Sequence, residues 1–398
     1  MFPGKEQEYS NGLLKGGMTV RIGLFAELFA PSVGGQELFF EGLSRQLVKN
    51  GHAVDIHCIG HVAGLADIES VGGVTIFRHP TDEFYKAPRF RMMKRAWPTI
   101  IKYALHVRRV SKEMNYDVLV LNQWPLLHAM TIPRSQRAKA VLHWCEIRTG
   151  LFYNAIQAVL PRLVARNVAI SDAVAQSIQR FSAGPVHTLP SGIEVEHFQS
   201  LPRDERSGIC YLGRMAAHKN LPLLINAFEL LKDGGYGGKL TLAGDGPVFD
   251  EIRDRARASR YGADIVLTGL ISDREKIELL SRSESLVISS LREGFPRVVA
   301  EAMASGLPVV TCDFATNGTK DVVELYGCGV VTRAEPEYLA RGMRDVIARW
   351  DHYSGTGRAA AKSLSWALIA KNFEELVVSG LDDRRPSLAS RLSEASAA

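Results

Sequence analysis

Cysteine is scarce in this chain. Its 398 residues include five, Cys58, Cys145, Cys210, Cys312 and Cys328, and no two form a C-x-x-C. That spacing argues against a zinc site and a disulfide framework, and for a reducing cytosol. Long apolar runs are missing too. None approaches the ~18 residues a membrane-spanning helix needs, and the N-terminus lacks the apolar core of a signal peptide. A G-x-G-x-x-G fingerprint is absent, which counts against a dinucleotide enzyme. Charge bias is small: 48 Lys and Arg against 43 Asp and Glu leave +5, too little to mark a nucleic-acid binder. The remainder is ordinary for a globular protein, with 46% hydrophobic and 23% charged residues, and the length suits two domains.

What is present is alternation. Met18 to Phe25 reads as a strand, Gly34-Gly35 as a loop, Gln36 to Asn50 as a helix and Ala53 to Cys58 as a second strand. That is a βαβ unit. Further strands are expected at Val74–Phe77, Asp117–Leu121, Ala138–His143 and Asn167–Ile170, with Ser171 as a helix N-cap. A second series starts at Gly208–Gly213 and continues through Leu240–Gly246 and Ile265–Leu270. Repeated βα units imply doubly wound α/β sheets with ligands at the carboxyl strand ends. Gly34-Gly35 lets backbone approach a phosphate closely, and it fits a plain loop equally well. His143 stands at a strand end, where a packed core histidine is an equal reading.

The most informative stretch is Ser289–Val310, SSLREGFPRVVAEAMASGLPVV. It reads as strand end, loop, helix, turn and strand. Pro296 suits the first helical position, and Val298, Val299, Ala302 and Met303 make one apolar face. Glu293 in the loop and Glu301 in the helix are separated by an E-x7-E spacing. A helix start offers free N–H groups and a positive dipole end, suited to phosphate. Carboxylates beside it can accept hydrogen bonds from sugar hydroxyls. A nucleotide sugar has both parts. An isolated E-x7-E also fits two solvent-exposed glutamates. Arg214 and Lys219, in GRMAAHKN at another strand–loop–helix junction, could meet a diphosphate as a fork and a point charge. Solvated surface cations are the plain alternative.

The EGFP…EAMASG-PVV stretch resembles the retaining glycosyltransferases of family 4, also called glycosyltransferase group 1. The likeness covers roughly Arg21 to Val378. It includes G-R-x-x-x-x-K at 213–219 and A-G-x-G-P at 243–247. Pro296 stands where the family often has glycine, Ser191 and Glu194 replace the usual Asn and Asp of the hinge, and Asp321 holds the approximate place of a later acid.

The resemblance implies a GT-B fold: two Rossmann-like doubly wound domains facing a cleft, with a C-terminal helix crossing back. The first domain is expected over 18–190, completed by 365–380, and the second over 205–364, with 1–17 and 381–398 disordered. It further implies that Arg214 and Lys219 hold the donor diphosphate, Glu293 the sugar and Glu301 the ribose. Gly34, Gly35, Gly213, Gly244, Gly294 and Phe295 would line the donor, Leu270 would border the base, and His143 would contact the sugar, with Glu146 a neighbour. Asn122-Gln123 stands where many members have histidine. No cofactor or metal is implied, and no D-x-D lies near the proposed site.

Phe84 to Lys112 differs in composition. Nine basic residues, Lys94, Arg95 and Arg109 among them, are interleaved with Phe84, Tyr85, Phe90, Trp97 and Tyr103, with no acid. Such a segment suits an anionic membrane surface; a solvated helix face is the alternative. The expected activity is hexosyl transfer from a nucleotide diphosphate sugar to a glycan or lipid-linked acceptor, in the cytoplasm or peripheral on the inner membrane face. Another GT-B enzyme, such as a nucleotide-sugar epimerase or phosphorylase, or an inactive sugar- or lipid-docking module, is the competing reading.

Overall fold

In the computed structural model, which describes residues 19–85, 96–146 and 150–377, the two alternating series build two separate sheets. The first contains β1 (Arg21–Phe25), β2 (Ala53–Gly60), β3 (Ile68–Val71), β4 (Val74–Thr81), β5 (Val118–Asn122), β6 (Ala140–Trp144), β7 (Arg166–Ala169) and β8 (Val186–Thr188). Their order is β3-β4-β2-β1-β5-β6-β7-β8. Only the edge pair β3–β4 is antiparallel. β5 and β6 are buried at every residue, because helices cover both faces of a parallel sheet and select continuous apolar runs.

The second sheet uses β9 (Ile209–Leu212), β10 (Leu240–Ala243), β11 (Ile265–Gly269) and β12 (Ser285–Ile288). A short β13 (Arg292–Glu293) precedes β14 (Val309–Cys312), a short β15 (Thr316–Asn317) and β16 (Gly329–Thr332). Its order is β11-β10-β9-β12-β14-β16, while β13 and β15 pair apart as a two-stranded ladder. In each sheet the first strand lies between its βα neighbours, β2 and β5 around β1, β10 and β12 around β9. That reversal leaves a crevice at the carboxyl ends of the strands, where doubly wound sheets bind ligands.

The Trp366–Val377 helix returns to the first sheet. Ile369, Ala370 and Phe373 belong to the core of the first domain. Trp366 wedges between two backbones that only glycine permits: a Cβ at Gly42 would lie 2.0 Å from the indole, and one at Gly192 2.5 Å. Ile193 and Ser365 form a parallel bridge at the crossing.

Two local expectations change. The helix after β13 runs over Arg297–Ala304, and Pro296 is its extended N-cap rather than its first residue. Its buried face is Val299, Ala300, Ala302 and Met303, with Val298 only half-buried. The leader 1–17, the tail 381–398 and the 86–95 part of the basic segment lie outside the described residues.

Candidate active site

The Leu291–Pro296 loop is held from both sides. β13 pairs with β15 through Arg292–Thr316 and Glu293–Asn317. Asn317 is buried and caps the following helix at Thr319 N–H, while its amide donates to Thr311 Oγ1 and Cys312 O. Gly318 lies so near that a Cβ there would sit 2.4 Å from Gly294 O. Gly294 in turn faces the first domain, 2.5 Å from Cys145 O by the same measure. Phe295 packs against both cores. The loop therefore bridges the crevice where β6 ends.

Glu293 is the centre of this loop. Its Oε1 accepts from Lys219 Nζ in a short ion pair and from Ser290 Oγ at 2.7 Å. Both charged side chains are mostly enclosed, Lys219 17% and Glu293 14% exposed. Lys219 is presented by a 3-10 turn that ends at Asn220 in the left-handed region. Ser289 Oγ ties down that turn by donating to Lys219 O and Asn220 O.

Arg214 stands exposed on the preceding loop, where its carbonyl accepts from Tyr211 OH at 3.0 Å. His218 lies within the field of Lys219, Arg292 and Arg214. Burial first, then Lys219 and Arg292, lower its pKa, while Glu293 opposes them. The imidazole is thus kept neutral inside a positive patch. Gly213 and Gly244 are structural: both have positive φ, and a Cβ at Gly244 would meet Gly213 O at 2.0 Å. They let the β9 and β10 loops nest.

Glu301 lies about one turn into the Arg297–Ala304 helix and is 6% exposed. Its Oε1 faces Lys276 Nζ at 3.4 Å and Arg297 Nη2 at 3.7 Å. Leu270 projects from the end of β11, 80% exposed, an apolar shelf on the same side of the sheet.

Across the crevice, the floor of the first domain is a polar network. Gln123 Oε1 accepts from Cys145 N–H at 3.0 Å and Glu146 N–H at 3.1 Å. Trp124 Nε1 donates to Glu146 Oε1 at 2.6 Å, and Gln36 Nε2 to Cys145 Sγ at 2.8 Å. Asn122 and Gln123 are buried. Gly34 and Gly35 begin the Gly35–Lys49 helix above them, and a Cβ at Gly35 would meet nothing within 4 Å.

His143 does not join this floor. Its ring is 2% exposed and stacks on Phe39 at 4.2 Å, inside the core with Leu43, Val168 and Phe373. Burial lowers its pKa to about 3, so it is a neutral packing residue. The chain leaves the sheet two residues later, and Cys145-Glu146 reach the crevice instead.

Of the residues expected from sequence, the structure brings together Lys219, Glu293, Gly294 and Phe295, with Arg214 and Glu301 in the same domain and at the same end of its sheet. Ser290, His218, Lys276, Arg297, Gln36 and Trp124 join the site without having been expected there. No local motif marks Lys276; the reciprocal Ser272–Glu275 capping box fixes only the start of the helix that carries it.

Comparison with known proteins adds the family. Residues 33–197 match the glycosyltransferase family 4 pattern, and residues 192–363 match glycosyl transferases group 1. The chain belongs to the group 1, family 4 glycosyltransferases. An uncharacterized glycosyltransferase of Methanocaldococcus jannaschii is 25% identical over 85% of this chain and 93% of its own length. The GDP-mannose:cellobiosyl-diphosphopolyprenol alpha-mannosyltransferase of Komagataeibacter xylinus is 25% identical over 92% and 95%. Sucrose-phosphate synthase of Thermosynechococcus elongatus superposes with a TM-score of 0.76 at 18% identity, covering 92% of this chain and 100% of that one. The fold is GT-B.

Proposed function

We propose that this glycosyltransferase moves a hexose-type sugar, with retention at the anomeric carbon, from a nucleotide diphosphate sugar to a glycan or lipid-linked acceptor. The observation that supports it best is the Lys219–Glu293–Ser290 cluster, set in the loop that leads into the Arg297–Ala304 helix. The helix end offers unpaired N–H groups to phosphate oxygens. The diphosphate lies against this end, with Arg214 and Lys219 as its cations. Glu293 keeps Oε1 for Lys219 and Ser290 and turns Oε2 to the sugar. The nucleoside lies toward Glu301 and Leu270.

In the reaction the bond from C1 to the leaving phosphate oxygen breaks as the acceptor oxygen bonds to C1 on the same face. The acceptor proton passes to the departing phosphate. Arg214, Lys219 and the helix end stabilise the charge that grows there, which is electrostatic catalysis. Two side-chain cations and a dipole do this without a metal. The acceptor enters over Gly34-Gly35, Gln123 and Glu146.

A thermal-shift panel of UDP-, GDP- and ADP-sugars, followed by NMR of the product anomer, tests the reading. Stabilisation by one donor class and a retained anomer are expected. An inverted product, or no donor that binds, sinks it.

A lipid-borne acceptor is favoured by one surface. The Trp97–Glu113 helix exposes Trp97, Ile101 and Leu105 at 46%, 49% and 57%, spaced four apart on one face. Met130 is exposed on the neighbouring Leu127–Thr131 helix. Lys102, Arg108, Arg109 and Lys112 belong to the same helix, and each basic group near an anionic leaflet is worth about 1 kcal/mol. No helix among the described residues is long and apolar enough to cross a membrane, so docking would be peripheral, on the inner face. Binding to anionic liposomes that survives the Ile101→Asp, Leu105→Asp double change would reject this surface.

A further inference from the structure

The carboxylate of Glu301 is approached by two cations that no sequence motif marks. Lys276 comes from the Asp273–Arg282 helix and Arg297 from the first position of Glu301's own helix. Both address the same oxygen, Oε1, at 3.4 and 3.7 Å. Glu293 is treated alike, with Lys219 and Ser290 both on Oε1. In each carboxylate Oε1 is taken by the protein, and among the described residues nothing pairs with Oε2.

The arrangement is specific. A cation at a helix start opposes the dipole, so Arg297 gains from a carboxylate four residues on. The Ser272–Glu275 capping box fixes where the Lys276 helix begins. Lys276 also meets Asp273 at 3.0 Å, but Asp273 is 94% exposed, and solvent weakens that competitor. The Phe198 ring, on the connection between domains, lies 5.9 Å from the ammonium. Lys276 is thereby aimed at Glu301.

We infer that Lys276 and Arg297 are positioning residues: they fix Glu301 Oε1 so that Oε2 meets the ribose hydroxyls of the donor. The inference rests on the proposed donor reading and names how its nucleoside half is recognised. A fixed carboxylate acceptor discriminates against a missing hydroxyl, because Oε2 then loses the partner it is aimed at.

The test measures binding of UDP and GDP against their 2′-deoxy and 3′-deoxy counterparts, by calorimetry, on the full chain. The unaltered protein should prefer the ribonucleotide by roughly 10–100-fold, the range expected for a hydrogen bond to a charged group. Lys276→Met should reduce that preference to a few-fold while deoxynucleotide affinity stays the same, and Lys276→Arg should restore it. A lesion that is merely structural would weaken both ligands equally. If the unaltered protein does not distinguish ribo from deoxy ligands, Glu301 is not the ribose acceptor and the donor reading itself falls. If it does, and Lys276→Met keeps the full preference, the positioning role is wrong and the donor reading stands.

Discussion

Glu293→Gln should make the protein bind nucleoside diphosphate more tightly while turning over more slowly. Lys219 is paired with Glu293, and both side chains are mostly enclosed. Two unit charges 4 Å apart attract by about 4 kcal/mol at an effective dielectric of 20. Desolvation offsets much of that, and a hydrogen bond to a charged group nets about 1.5–3 kcal/mol. A diphosphate that recruits Lys219 must compete with this hold. Glutamine keeps the shape and removes the charge, so the ammonium is free for phosphate. At ~1.4 kcal/mol per decade, the nucleoside diphosphate Kd should tighten by about tenfold or more. Product release slows, and the sugar loses its carboxylate contact, so kcat falls. The ligand-free variant has an uncompensated ammonium and should melt earlier, with saturating nucleotide closing the gap. Calorimetry with UDP and GDP, paired with melting curves, reads all of this. An unchanged or weaker Kd in a folded variant would refute the competition between Glu293 and phosphate.

Arg214→Ala should lower kcat/KM by roughly 10²–10³, the usual cost of removing one group that stabilises transition-state charge; unchanged turnover of donor would remove Arg214 from the phosphate site. His143→Leu should retain turnover to within a few-fold, since the ring packs on Phe39 away from the crevice; a hundredfold loss with an intact melting curve would return it to the catalytic floor. The same variant should alter acid stability. The folded pKa of His143 is about 3 and that of His106 about 4, both below the unfolded value, so the unfolded chain binds more protons as pH falls. Stability is full above pH ~6.5 and drops below it by roughly 1.4 kcal/mol per pH unit per group. Urea melts at pH 7, 6 and 5 should show a shallower decline for His143→Leu. Gly294→Ala should impair turnover more than melting, because its Cβ would strike Cys145 O across the crevice; wild-type activity would show that the loop need not touch the first domain.

Much of this was readable from residues alone. Strands covered on both faces are mostly apolar, so β5 and β6 stand out as near-continuous runs. Lys219 and Glu293 stand out because a cation and a carboxylate at strand–loop–helix junctions suit a phosphate and a sugar, within the G-R-x-x-x-x-K and E-x7-E spacings. The strand end at β6 was misjudged. Alternation places side chains on one face or the other, but it does not say which residue is the last inside, and His143 and Cys145 share parity. Lys276 and Arg297 were invisible for another reason. Lys276 lies 25 positions from Glu301, and their meeting depends on how two helices lean together, which no local pattern encodes. In the basic segment, composition suggested a docking face, yet only the helix from Trp97 onward reveals which apolar residues stay outside.

The return of the Trp366–Val377 helix sets an order on biosynthesis. Chains emerge from the ribosome front first, and domains tend to fold as they appear. Here the opening half waits, its sheet built but one flank bare, until the Trp366–Val377 helix has been translated. The rear half can close in the interim, and the late-arriving tryptophan then locks into the two glycine notches reserved for it. A nascent chain stalled before that tryptophan should be cut by protease in its earlier half and spared in its later one.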